Sequence, residues 1–394
     1  MLNNYYVDLH IHIGSGSNGQ PVKITASNKL NFANIAEEAL EKKGLNMIGI
    51  IDCASPVVIN DIERLLSSGE MRELPEGGII YKDQLVILLG SEIESREENG
   101  GQSHYLAYFP SLKDIRLYSE IMDQYITNIN LSSQSTGLTG TEILKIVESC
   151  NGLLIPAHAF TPHKSFYGNS FAHYSEVFSR EEWQRIPAIE LGLSADTQLA
   201  DHLNELKSKT FLSNSDAHSL GKIAREYNIF RMGNLNYREF EQALKRENNR
   251  KVVDNYGLDP RLGKYHRSYC PNCNKKFNLE KPVFTCPICN KDNIVNGVKD
   301  RVLEISNRDC SISPPHRPSY IHQVPLIDLP GIGKKRLESL LNKLGTEMDI
   351  LHEADFDQLS RVVNKKIARS IIRAREGELE IEAGGGGNYG KVVG

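Results

Sequence analysis

The chain has 394 residues, more than one ordinary domain core holds, so two or three domains are expected. Its 40% hydrophobic and 24% charged residues fit a soluble globular protein, and no apolar run approaches the ~20 residues of a membrane span. A formal net charge of -4 excludes a basic field over the whole surface, but not a basic face separate from a carboxylate-rich one. The N-terminus Met1-Leu2-Asn3-Asn4-Tyr5 carries no secretory pattern, so a cytoplasmic monomer with no membrane partner is expected.

From residue 1 to about 235, short apolar runs alternate with helical patterns. Residues 46–51, 85–89, 152–155 and 188–191 read as buried strands, and 34–43, 141–149 and 198–207 as helices. Such alternation implies an α/β fold with a parallel sheet or barrel, whose catalytic residues gather at the carboxyl ends of the strands. Residues 250–265 read as a linker, and 313–318, rich in proline, as a second, stiffer one. Four of the seven cysteines fall between Cys270 and Cys289, inside that interval. Residues 327–375 suggest short helices, and the glycine run 384–387 looks too flexible to be a folded element. The expected units are a barrel over 1–250, a cysteine module over 265–312, a helical domain over 320–380 and a Gly-rich tail over 381–394.

The strand ends carry the chemistry. His10 and His12 lie on one side of an extended segment, because side chains alternate with period two. Asp52 and Cys53 end the second strand, Glu92 follows the third, His104 opens the next, His158 ends another, and Asp216 and His218 follow the last. Imidazoles and carboxylates are a transition-metal ligand set, and this many exceed the needs of one ion. Two or three divalent ions (Zn, Mn or Mg) are implied, with Glu92 a natural bridge and Glu92, Asp216 and His218 the candidate catalytic residues.

These motifs resemble the polymerase-and-histidinol-phosphatase (PHP) family, distorted β/α barrels that act as metal-dependent phosphoesterases. The resemblance rests on His10 and His12, Glu92, His104, His158, and Asp216 with His218. The family usually has Asp-His where this chain has Asp52-Cys53, and often a further His where it has Asn18. Three readings of the third metal position stay open: Cys53 as a thiolate ligand, Asp52 as a substitute, or no third ion.

Two CxxC pairs, Cys270/Cys273 and Cys286/Cys289, are spaced for one structural zinc with four cysteine ligands. Tyr269, Lys275, Lys276, Phe277 and Lys281 beside them could touch a nucleic-acid backbone or simply form a solvated face. Further on, Leu329-Pro330-Gly331-Ile332-Gly333-Lys334-Lys335 looks like a helix-hairpin-helix motif. Gly331 and Gly333 would allow a tight turn whose N–H groups bind phosphate, and Lys334 and Lys335 add charge. Residues 360–368 repeat it loosely, with Asn364 at the second glycine. Arg361, Lys365, Arg369 and Arg373 recur every four residues, as one basic stripe on a helix would.

The order barrel, four-cysteine ribbon, helix-hairpin-helix is similar to the endonuclease Q family over nearly the full chain. That resemblance implies metal-dependent cleavage of DNA on the 5′ side of deaminated bases (uracil, hypoxanthine, xanthine) or abasic sites, with the target nucleotide flipped from the stack. The alternatives are a PHP-type nuclease of other specificity and a small-molecule phosphomonoesterase. The loop after His158 is the expected base pocket, with Phe166 and Tyr167 to stack and Lys164, Ser165, Asn169 and Ser170 to bond polar edges.

Overall fold

Nine N-terminal residues, Asn3–Ile11, form β1, the strand from which the rest is arranged. Val7 and Leu9 pack with Phe240 and Leu244 of the helix Tyr237–Lys245, which leaves Asp8 and His10 on the opposite side of the strand. The structure, a computed structural model, describes residues 1–277, 282–384 and 388–393.

Strands β2 (Met47–Ile50), β3 (Met71–Glu73), β4 (Ile79–Tyr81), β5 (Leu85–Arg96), β6 (Gln102–Phe109) and β7 (Leu153–Pro156) follow. Then come β8 (Ala188–Glu190), β9 (Thr210–Leu212), β10 (Tyr227–Met232) and β11 (Lys251–Leu258). β12 (Tyr269–Cys270) and β13 (Lys275–Lys276) form the cysteine ribbon, and β14 (Ser319–Gln323) returns to the main sheet. That sheet has ten strands, in the order β14-β11-β10-β1-β2-β5-β4-β3, with β6 on the far half of β5 and β7 on β6. β7 lies beside β8 and β9 beside β11, so the strands close a distorted ring. At the β9 end the buried Asn228 side chain replaces a backbone ladder, accepting from Ser213 N–H at 2.9 Å and donating to its carbonyl at 2.8 Å.

Several details differ from the sequence expectation. The sheet is mixed: β1–β2 and β2–β5 run parallel, whereas β1–β10, β5–β6 and β6–β7 are antiparallel. β5 runs for 12 residues, so Glu92 lies within a strand and not past its end. The helix expected over 198–207 is interrupted at Asp201, whose carboxylate turns inward to the buried Arg317 guanidinium at 2.7 Å.

Both expected linkers need correction. Half of 250–265 is β11, whose Gly257 lets Tyr320 of the neighbouring β14 lie against the backbone. The proline-rich stretch is tied to the barrel through Arg317, and the strand after it belongs to the barrel sheet and not to the helical domain. The tail is folded on either side of the glycine run: β15 (Glu380–Glu382) pairs antiparallel with β16 (Lys391–Val393), while Gly385, Gly386 and Gly387 lie outside the described residues. The basic stripe is split as well. Arg361 sits in the helix Phe356–Val362, while Lys365, Arg369 and Arg373 belong to Lys365–Arg375. The break comes at Asn364, whose side chain caps the second helix by accepting from Ile367 N–H at 3.0 Å.

Candidate metal centre and nucleic-acid faces

Asp8, buried behind the site, accepts from the N–H groups of Ser215 (3.0 Å) and Ala224 (2.9 Å), which pins the loop carrying Asp216 and His218. His10 is the last residue but one of β1 and His12 follows the strand; Glu92 comes from within β5 and His104 from near the start of β6. His158 and Asp216 adopt positive φ, 28° and 44°, a strained backbone of the kind that collects at functional sites.

The side chains converge on Glu92. Its Oε1 lies 3.0 Å from His104 Nδ1, 3.3 Å from His158 Nε2 and 3.7 Å from His10 Nε2. Asp216 Oδ1 lies 3.3 Å from His12 Nε2 and 3.4 Å from His218 Nδ1. Three sets of donors each fit within 4.8 Å: His10, His12 and Glu92; His12, Asp216 and His218; and Glu92, His104 and His158. Sharing of Glu92 and His12 between sets is the arrangement of a polynuclear centre. His10 Nε2 is buried with no hydrogen-bond partner, a cost a cation in this cage would remove. The electrostatics agree. Burial alone would lower the His10 imidazolium, but Glu190, Asp216 and Glu92 push it up to about 10, because this cluster of carboxylates demands positive charge.

Glu190 and Asp52 hold the ligand imidazoles from behind, at 2.9 Å from His10 Nδ1 and 3.1 Å from His12 Nδ1. Such carboxylate partners fix tautomer and ring orientation. Asp52 is thus corrected from ligand to positioning residue: its oxygens face His12 Nδ1 and the Ile13 N–H. Cys53 is corrected too. Its thiol is fully buried in the hydrophobic core, donates to the Ile50 carbonyl, and is pushed well up by burial, the opposite of what a thiolate ligand needs. Sequence reasoning gave no role to Glu190 or to Lys23, whose Nζ lies 3.0 Å from Glu92 Oε2. A strand-end position could have pointed to Glu190; nothing in the chain's pattern marks Lys23.

The expected base pocket does not form. Phe166 and Tyr167 are buried, with Phe166 packed among Phe171, Phe178 and Trp183. Ser165 donates to the Thr161 carbonyl, and Ser170 bonds the Gln102 backbone in both directions. Asn169 is exposed, and Lys164 pairs with Glu94 at 2.6 Å. The loop's aromatic rings and hydroxyls are consumed by packing it onto the barrel.

In the ribbon the Sγ atoms of Cys270 and Cys289, and of Cys273 and Cys286, are 3.8 Å apart. A tetrahedron of Zn–S bonds of about 2.3 Å requires a separation of about 3.8 Å. Phe277 is buried in the ribbon's own small core, Lys276 donates to the Ala383 carbonyl, and Lys281 lies outside the described residues.

In the helical region Gly331 has φ 88°, and Gly333 opens the helix Lys334–Leu344 just as Asn364 opens Lys365–Arg375. Lys334, Lys335, Arg361, Lys365 and Arg369 are exposed, whereas Ile332 and Ile367 are buried between the two hairpins. A buried pair, Lys43–Glu347 at 2.7 Å, ties this region to the barrel. Among the described residues no helix is long and apolar enough to cross a membrane.

Comparison with known proteins follows this division. The family of SAM-like helix-hairpin-helix tandems matches residues 324–376. The Bacillus subtilis protein YqxK is 46% identical over 389 residues, which is 98% of each chain. The crystal structure of the lesion-specific endonuclease PfuEndoQ from Pyrococcus furiosus superposes with a TM-score of 0.83 at 32% identity, over 99% of this chain and 95% of that one. An endonuclease Q complex with a 27-mer duplex, an abasic lesion at its active site, gives a TM-score of 0.82 at 32% identity over 99% and 96%. With likeness at this level running through barrel, ribbon and hairpins alike, the chain belongs to the endonuclease Q family.

Proposed function

We propose that this protein is a DNA-repair endonuclease that hydrolyses the phosphodiester on the 5′ side of deaminated bases (uracil, hypoxanthine, xanthine) and of abasic sites. The observation that carries this reading is the Glu92-centred cage, in a chain alike over 99% of its length to an enzyme seen with a lesion at its active site. The substrate is DNA, gripped without sequence preference by backbone N–H groups and exposed cations of the two hairpins.

His10, His12 and Glu92 would hold one cation of the cage, Glu92, His104 and His158 another, and His12, Asp216 and His218 a third where one binds; the ribbon cysteines would hold a structural zinc. Two or three divalent ions in the barrel would neutralise phosphate oxygens and acidify an attacking water. Everything else falls to the chain. Glu190 and Asp52 keep the Nε2 lone pairs of His10 and His12 pointing inward. Lys23 places a fixed ammonium beside Glu92, and Ser133 donates to the same carboxylate. A groove of about 530 Å³, lined by Lys23, Glu92, Ser133, Lys164 and His218, admits the strand to the cage. Water attacks phosphorus and the 3′ oxygen departs, which leaves a 3′ hydroxyl and a 5′ phosphate on the lesion side.

The test is to incubate end-labelled duplexes bearing one uracil, one hypoxanthine, one abasic site or no lesion with the protein and Mg or Mn, and to map the cuts. Incision one bond 5′ of each lesion, with the undamaged duplex intact, is expected. Cleavage of undamaged and damaged duplexes alike, or hydrolysis of small phosphomonoesters alone, would defeat the proposal.

A further inference from the structure

Three strands bring residues to the cage at their carboxyl ends: His158 follows β7, Glu190 ends β8, and Asp216 follows β9. The opposite ends of the same strands hold a cavity of about 620 Å³, within the usual range for a ligand site. Gly152 and Leu153 bring β7 to it, Ile186 and Pro187 precede β8, and Ser208 and Lys209 precede β9. Arg246 joins them from the end of the helix Tyr237–Lys245. In barrels this end of the strands normally carries stability and not chemistry, so charge gathered there is unusual.

Part of the lining is apolar, from Leu153, Leu154, Pro187 and Leu244. The rest is charged. Two of its cations are exposed and neutralised: Arg185 pairs with Glu148 at 2.6 Å, and Lys245 with Glu241 at 2.7 Å. The two more deeply set are not. Lys209 is 2% exposed, and its Nζ donates to the carbonyls of Trp183 and Ile186, 4.3 Å from the Trp183 ring centroid. Arg246, half-buried, donates to Thr210 Oγ1 at 2.5 Å and to the Ser208 carbonyl at 2.7 Å. Among the described residues no carboxylate lies within ion-pairing distance of either cation. The neighbouring Arg317 has its own carboxylate in Asp201, at 2.7 Å. Burial and the Arg246 guanidinium together pull the Lys209 ammonium down to about 7, as expected of positive charge without a counter-ion. Buried cations left unpaired are costly, and a bound anion removes that cost.

We propose that this cavity binds a phosphate-bearing anion, with the Arg246 guanidinium as its direct contact, the Lys209 ammonium as supporting charge and the apolar lining for the rest of the ligand. Two unmatched cations suit the dianion of a phosphomonoester better than a singly charged carboxylate, and the planar fork of an arginine matches phosphate geometry. The site lies at the far end of the barrel strands from the cage and needs none of its residues.

Free phosphate and nucleoside monophosphates both carry the group, and calorimetry separates them. Inorganic phosphate and deoxyadenosine monophosphate are titrated into the full-length chain, every sample carrying Glu92→Gln so that any phosphate held by the cage is the same in each. Arg246→Gln should weaken phosphate about tenfold, the loss of one charge-assisted contact. Arg246 also ties Thr210 and Ser208, so a second variant is made at the exposed Glu247, an acid of the lining with no cation partner among the described residues. Glu247→Lys should leave the fold intact and tighten phosphate about two- to fivefold, as expected of an exposed charge. Tighter binding of the nucleotide than of phosphate assigns the apolar lining to a nucleoside, and equal affinity assigns the site to the free ion. Affinity unchanged in Glu247→Lys, unchanged in a folded Arg246→Gln, or absent from the parent protein would each overturn the site. Binding alone is read, so the nuclease reading is not at stake.

Discussion

The metal cage and the loop after His158 draw on similar side chains, and the chain puts them to opposite uses. Both mix rings, hydroxyls and charges at the barrel rim. In the cage, His10, His12, Glu92, His104, His158, Asp216 and His218 turn toward one another, with Glu190 and Asp52 behind them. In the loop, Phe166 and Tyr167 turn into the core and the hydroxyls of Ser165 and Ser170 bond backbone. A strand dictates where its side chains point, by alternation, whereas an irregular loop points them wherever burial is best. Residue type at a strand end is therefore informative about chemistry; the same type in a loop is not.

The largest expected effect lies in the cage. Glu92→Gln keeps shape and removes the charge shared between two donor sets, so incision should fall by about 10³ or more, the several kcal/mol that metal-supplied charge contributes. Duplex binding, measured by anisotropy, should stay close to wild type because the proposed grip is in the hairpins. A variant that retains more than a tenth of the rate would break the contrast between cage and loop.

Phe166→Ala tests the other side. Its ring is fully buried among Phe171, Phe178 and Trp183, and removing it should cost about 3–5 kcal/mol of stability. The ratio of uracil to abasic incision by the folded protein should not move. A melting curve gives the first quantity and paired rates the second; a shifted ratio at unchanged stability would restore the loop as a base reader.

How much of this was legible follows from the same contrast. The convergence of the cage was, because His10, His12, Glu92, His104, His158, Asp216 and His218 sit on or just past strands whose apolar runs are plain. The ribbon and the hairpins were, because CxxC spacing and Gly-x-Gly have few other uses. β11 and β14 were not: Pro and Gly in and beside their runs read as linkers, and their apolar partners lie far away in sequence. The pairing of the tail strands was hidden for a related reason, since Gly384 and Gly390 serve close backbone approach, a purpose invisible without the neighbouring chain.

Glu190→Gln sharpens the comparison by moving one layer out. The amide can still meet His10 Nδ1 but loses the charge that orients the ring and raises its basicity. Loss of such a partner typically costs about 10–100-fold in metal affinity or activity. Chelator titration should show the barrel ions released more readily while the ribbon zinc stays. An unchanged titration would mean that the packing of His10, and not the carboxylate, positions it.

The smallest effect is expected at Cys53, where residue type alone misleads. A cysteine at a strand end beside Asp52 has the chemistry of a ligand, but here the thiol faces the core and donates to the Ile50 carbonyl. Burial holds its proton in place, so binding a metal would require both ionising the group in an apolar setting and turning it round. Cys53→Ala should therefore leave the barrel ion count unchanged and cost only about 1 kcal/mol for the lost sulfur. Cys286→Ala, removing one of four sulfurs spaced for zinc, should release the ribbon ion and unfold that module. Elemental analysis of the two variants side by side decides the matter. Loss of a barrel ion from Cys53→Ala, with full zinc in Cys286→Ala, would show that the strand-end position outweighs the orientation of the side chain.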